Sequence, residues 1–151
     1  ISVPTVDALA YNLYDTEGLV CPMLDARRFQ VYTGIYRFKH HKLITVMSQT
    51  SEAVVNLAKK LNALGESITF LGDGAVVYWE MLQKLLKVPF TEAPLHLNKQ
   101  RAGALGVLAL RYYEAGEIQT AREYHPTYLS LSQAERERIK RELFEMGAIR
   151  V

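Results

Sequence analysis

The sequence holds a single cysteine, Cys21, among 151 residues, so no disulfide can form within the chain. Exported domains of this size often rely on several such cross-links, and their lack here fits a reducing cytoplasm. No apolar run reaches the roughly 18 residues that a membrane-spanning helix requires. The opening Ile1-Ser2-Val3-Pro4 has neither the basic start nor the apolar core of a signal peptide. Neither sign of charge dominates: 18 basic and 16 acidic side chains leave a formal net charge of +2. A field that weak argues against a dedicated nucleic-acid-binding module and requires any such contact to be local. Low-complexity stretches, internal repeats and flexible linkers are also missing. One compact domain is therefore the expectation for a chain that is 49% apolar.

The chain begins with Ile1 rather than Met, and Thr5-Val6-Asp7-Ala8-Leu9-Ala10-Tyr11 reads as a helix entered in mid-protein. A fragment of a longer protein is expected. After Gly18, residues 19–24 form a short apolar run that reads as a buried strand. Residues 29–38 are rich in β-branched and aromatic side chains, and residues 43–47 supply a third run beyond the basic turn Lys39-His40-His41-Lys42. Three strands with short links predict an antiparallel meander. The period then changes: Val54, Leu57, Ala58, Leu61 and Leu64 fall on one helical face, with Gly65 placed to end the helix in the left-handed conformation. Residues 67–71 follow as a strand, then the turn Gly72-Asp73-Gly74, then an amphipathic helix carrying Tyr78, Met81, Leu82 and Leu85. A longer helix is expected over residues 98–115. Its small residues (Ala102, Gly103, Ala104, Gly106, Ala109) invite close approach, its apolar surface predicts burial, and Gly116 is its stop. Finally, Ser132-Gln133-Ala134-Glu135 matches a capping box, Ile139, Leu143 and Met146 form a stripe, and Gly147 ends it. The pairs Glu137 with Arg141 and Arg138 with Glu142 are spaced for contact on its solvated face. Three antiparallel strands, a helix, a strand and further helices are the order of an α/β, ribonuclease-H-like lobe. That fold carries many unrelated activities, so function has to be argued from a site.

The Gly72-Asp73-Gly74 turn lies between a strand and a helix, where flexible backbone and unpaired N–H groups can approach a phosphate or adenosine. It lacks the Lys-Ser/Thr of a P-loop and is not a full dinucleotide fingerprint, so a purely structural turn is the simpler reading. Asp25, Arg27 and Arg28 cluster between two strands, where a carboxylate accepts turn N–H groups or bridges to a guanidinium. As a metal ligand Asp25 would need convergent carboxylates, and no companion acid is expected at an inward-facing position on a neighbouring strand. His40 and His41, if extended, point to opposite faces, and His96 and His125 stand alone, so no metal site is expected. Cys21, inside an apolar strand before Pro22, is expected to be buried and inert. Ser48 and Ser51 flank the expected helix start and read as capping residues, and no Gly-x-Ser-x-Gly elbow occurs. Tyr112, Tyr113, Tyr124 and Tyr128, with Arg111, Arg122 and Lys99, have the residue types that stack on bases and hold phosphates. Partial burial with hydroxyls at the rim is the simpler reading of the tyrosines.

Four separated segments resemble the bacterial TsaB proteins, formerly YeaZ: residues 3–10, Pro22-Met23-Leu24-Asp25-Ala26-Arg27-Arg28 running on through Val31-Tyr32, Phe70-Leu71-Gly72-Asp73-Gly74-Ala75, and Pro126-Thr127-Tyr128-Leu129 with Ala134-Glu135. They occur in the family's order and cover most of the chain. Ser130 is a departure, since many relatives place an arginine there. The resemblance implies a two-lobed protein of the actin-like ATPase superfamily, of which this chain is the carboxy-terminal lobe. The amino-terminal lobe's Ile-Asp-Thr-Ser-type strand and Gly-Pro-Gly-Ser-Phe-Thr-Gly segment do not occur. The family implies a noncatalytic scaffold needed to form N6-threonylcarbamoyladenosine in tRNA, partnering the catalytic TsaD and the ATPase TsaE. It further implies tRNA contact only through the complex and no cofactor in this lobe, and it admits ATP or ADP in the complex and a homodimer. Asp25, Arg27, Tyr32 and Tyr128 are then structural, while Gly72, Asp73 and Gly74 are the nucleotide-site candidates. An ATP-binding kinase or metallopeptidase-like member of the same fold is the enzyme-class alternative.

Overall fold

The computed structural model describes residues 1–129 together with Arg138, Arg141 and Glu142. The central element is a five-stranded mixed sheet of order β3-β2-β1-β4-β5. Strands β1 (Leu19–Asp25), β2 (Gln30–Lys39) and β3 (Lys42–Ala53) form the expected antiparallel meander. Strand β4 (Ile68–Leu71) pairs parallel to β1, and β5 (Phe90–Glu92) pairs parallel to β4. Because β1 is flanked on both edges and covered on both faces, its run of Leu19, Val20, Cys21 and Met23 is fully buried. Alternation along β1 divides the core. Leu19, Cys21 and Met23 face one apolar cluster, and Val20 faces the other.

The first cluster is closed by three helices: α2 (Val54–Leu64), α3 (Asp73–Val77) and α4 (Trp79–Leu85). In α2, Val54, Leu57, Ala58 and Leu61 are buried, as their spacing predicts, and Gly65 ends the helix at φ 70°. Full burial stabilises by about 1.5–3 kcal/mol for each larger aliphatic side chain in that stripe. The second cluster is closed by α1 (Thr5–Ala10) and the 3₁₀ turn Tyr11–Leu13, with α5 (Ala102–Glu114) lying outside against them. This is consistent with the ribonuclease-H-like lobe read from the order of elements.

Several expectations are corrected. Ser48 and Ser51 belong to β3, which runs on to Ala53, and α2 starts from Ala53 with no side-chain cap. Two register shifts between Thr33 and Tyr36 of β2 break the alternation opposite this part of β3, which hid it as a strand. Tyr78 divides the expected single helix into α3 and α4. Helix α5 begins at Ala102 rather than Asn98, and only Leu108 of it is buried, so the predicted burial of its apolar surface does not occur among the described residues. A Cβ added at Gly103 or Gly106 would meet nothing within 4 Å, so neither glycine admits a close neighbour. His40 and His41 are not extended; both take positive φ in the two-residue turn between β2 and β3. The expected pair of Arg138 with Glu142 is present at 3.4 Å. The capping box, the Ile139, Leu143 and Met146 stripe, Gly147, Glu137 and Ser130 lie outside the described residues.

Candidate functional site

In open α/β sheets, ligands gather beyond the carboxyl ends of the parallel strands. Here β1 and β4 end side by side, in register from Leu19 with Ile68 to Pro22 with Leu71, and that register carries Asp25 and the Gly72-Asp73-Gly74 turn to the same end of the sheet. The Asp25 N–H donates to Asp73 Oδ1 at 3.3 Å, and Asp73 Oδ1 also accepts the Gly74 N–H at 3.0 Å. Asp25 Oδ1 in turn accepts the Arg27 N–H at 2.8 Å and the Tyr78 hydroxyl at 2.9 Å. Burial first, and then this carboxylate, push the Tyr78 phenol above its ordinary value. The Asp73 carboxylate thus reaches the Asp25 backbone from the turn after β4, and not from a neighbouring strand.

The two glycines are explained by the closeness of β1. Gly72 sits at φ 100°, and a Cβ there would collide with the Met23 carbonyl oxygen. A Cβ on Gly74 would lie 3.0 Å from the Asp25 nitrogen and the Met23 carbonyl oxygen. Their N–H groups are engaged as well, Gly72 donating to Asn98 Oδ1 and Gly74 to Asp73. Asn98 escaped notice in the sequence, where it read only as the start of a helix. A phosphate at this turn would have to displace side-chain oxygens already bonded there.

A second polar cluster lies between α1 and α5. Asp7 of α1 accepts the Tyr36 hydroxyl from β2 on Oδ1 and the Tyr112 hydroxyl from α5 on Oδ2, the latter at 3.1 Å. Burial and the Asp7 carboxylate push both phenols above their ordinary value. A cavity of about 440 Å³ opens beside this clasp, lined by Thr5, Asp7, Gln49, Tyr112, Glu117 and Tyr124. Tyr32 and the exposed Tyr128 line a neighbouring cavity of about 260 Å³.

The remaining candidates are engaged or isolated. Cys21 is fully buried, its Sγ 3.5 Å from Thr33 Oγ1, and burial pushes the thiol up to about 12. His41 Nδ1 lies 2.8 Å from Asp15 Oδ2, and its ring stacks on Tyr14. Arg111 donates to the His41 carbonyl at 2.9 Å and covers the rings of Tyr11 and Tyr14. Tyr113 and Tyr124 are exposed. Among the described residues, no three His, Cys, Asp or Glu side chains are grouped to hold a metal ion. No described helix is long and apolar enough to cross a membrane.

No family model matches the chain. It is 28% identical over 137 residues to the tRNA threonylcarbamoyladenosine biosynthesis protein TsaB of Bacillus subtilis (strain 168), a match covering 89% of this chain and 57% of TsaB. Two solved structures from Pseudomonas aeruginosa share the fold at 22% identity. One is an uncharacterized protein with similarity to peptidase YEAZ, with a TM-score of 0.65 over 86% of this chain and 58% of that one. The other is YeaZ, with a TM-score of 0.62 over 85% of this chain and 58% of that one. The chain thus spans less than two thirds of the length of these relatives. The chain is thus similar to TsaB in sequence and to the YeaZ structures in fold.

Proposed function

We propose that this chain is the carboxy-terminal lobe of a noncatalytic scaffold for N6-threonylcarbamoyladenosine formation in tRNA, acting in the cytoplasm beside the catalytic TsaD and the ATPase TsaE. The observation that carries the reading is the match to TsaB across 89% of the chain. The site geometry supports it. Asp25 Oδ1 and Asp73 Oδ1 are committed to holding the strand ends together, and the Cys21 thiol is sealed in the core. These groups build a stable end to the sheet, as a supporting lobe needs, and ATP or ADP would be bound by the assembled complex. The test is a reconstituted reaction with TsaD, TsaE and unmodified tRNA, with and without the protein that carries this chain. Modified adenosine should form only in its presence, and equal yields would overturn the proposal.

One observation favours a second reading, an ATP-binding enzyme of the same fold: the Asp73 carboxylate meets the Asp25 backbone at the carboxyl ends of parallel strands. Calorimetric titration of ATP into the same protein, followed by a turnover assay, separates the two. Saturable binding with hydrolysis or transfer in the absence of TsaD and TsaE would replace the scaffold reading.

A further inference from the structure

Two exposed features stand out among the described residues, and only one of them selects its partner. In the turn from β1 to β2, Arg27, Arg28 and Phe29 follow one another at φ 64°, 53° and 60°, a left-handed region that residues with a Cβ enter only at a cost. All three are exposed and would meet any acidic or apolar surface, so the turn names no occupant. Helix α5 is different. It carries no charge from Ala102 to Leu110, and a helix that is apolar all round is ordinarily buried, yet only Leu108 of it is buried here. On the side opposite Leu108, Gly103, Gly106, Leu110 and Tyr113 recur at the a and d spacing of a heptad, the seam along which helices pair. Leu110 and Tyr113 are each 56% exposed, and a Cβ added at either glycine meets nothing within 4 Å. The seam is thus two gaps followed by two large side chains, with Arg101 before it and Glu114 after it.

We propose that this face pairs with the same face of a second copy, antiparallel, about a twofold axis level with Leu108. In that register Tyr113 covers the partner's Gly103 and Leu110 covers the partner's Gly106, so each large side chain fills a gap where no Cβ intervenes. Arg101 falls within one position of the partner's Glu114, and each helix N-terminus lies against a C-terminus. A parallel pair would set glycine on glycine and Glu114 on Glu114, leaving voids and bringing like charges together. A seam that complements its own reverse in both size and charge is what a second copy requires and an unrelated partner does not. One pair of 13-residue helices covers less than the roughly 1,200 Å² at which stable complexes begin, so the dimer is transient and dissociates at the dilution of an unfolding measurement.

Sedimentation equilibrium of the protein that carries this chain, from about 1 to 500 μM, tests the pairing. The mean mass should climb with concentration from one copy towards two. Leu110→Glu should weaken association on the order of tenfold or more. Arg101→Glu or Glu114→Arg alone should weaken it on the order of threefold, and the two together in one chain should restore it. An oxidised equimolar mixture of the Gly106→Cys and Leu110→Cys proteins should give more cross-linked dimer than either alone. The register sets those two positions face to face and holds like positions about one turn apart. A mass of one copy at every concentration overturns the proposal, whether the face is then free or covered by another part of the same protein. Undiminished association of Leu110→Glu, a double swap that restores nothing, or no excess cross-link in the mixture overturns it equally. None of these outcomes bears on the scaffold role.

Discussion

Helices α2 and α5, of 11 and 13 residues, are attached to the molecule by different forces. On α2 the apolar residues lie in one stripe, and Val54, Leu57, Ala58 and Leu61 sink into the core beneath the sheet. On α5 they run nearly all round the helix: Leu108 is buried, whereas Leu105, Val107, Leu110 and Tyr113 remain exposed. What holds α5 is largely directional: the Tyr112 hydroxyl on Asp7, the Arg111 guanidinium on the His41 carbonyl, and the same guanidinium over Tyr11 and Tyr14. Apolar burial scales with area and binds a helix into the cooperative core, whereas a single hydrogen bond contributes only about 0.5–1.5 kcal/mol net. The two helices should therefore open in separate steps, α5 well before α2.

The largest expected effect is on α2. Leu57→Ala should lower global stability by about 2–5 kcal/mol in urea unfolding, because Leu57 is fully buried in the core and its truncation leaves a cavity. A loss below about 1 kcal/mol would show that α2 is not part of the cooperative core.

A smaller and local effect is expected at the clasp. Tyr112→Phe should cost about 1 kcal/mol, seen as faster amide exchange over residues 102–114 with the exchange of α2 unchanged. Alkaline pH should act on the same bond. The folded phenol is held above its ordinary value by burial and by Asp7, so its contribution is complete below the ordinary tyrosine value of about 10 and is lost as the pH rises beyond it. Exchange over α5 should accelerate through that range in the unsubstituted protein and more shallowly in the Phe variant. Equal acceleration in both would remove the clasp as the attachment.

The smallest effect tests the outer face. Leu110→Glu, at a position 56% exposed, should leave stability within about 0.5 kcal/mol. A loss above about 1 kcal/mol in the purified protein would mean that this face is covered in solution, and the contrast with α2 would have to be withdrawn.

The legibility of these regions follows the same division. The α2 stripe, its Gly65 stop and the apolar β1 run were readable because each is a local pattern whose burial follows from its own period. Strand β5 was not, because Phe90–Glu92 is too short for a period and becomes a strand only by aligning with Ile68–Phe70. The polar half of β3 was missed because a register-shifted edge strand need not alternate. Asp25 and Asp73 were read as separate features, since they stand 48 positions apart and only the parallel pairing of β1 with β4 brings them together. The left-handed turn gave no warning at all, because Arg27, Arg28 and Phe29 have no preference for positive φ.

The amino-acid sequence by itself determined the order of elements, the buried strand, the glycine stops and the likeness to TsaB, all of which reside in residue type and spacing along the chain. Only the tertiary structure decided that the Asp73 carboxylate meets the Asp25 backbone, that α5 stays largely exposed, and that Arg27, Arg28 and Phe29 project from a strained turn. These depend on the register between strands distant in sequence, on competition among faces for one limited core, and on backbone hydrogen bonds strong enough together to hold an unfavourable φ.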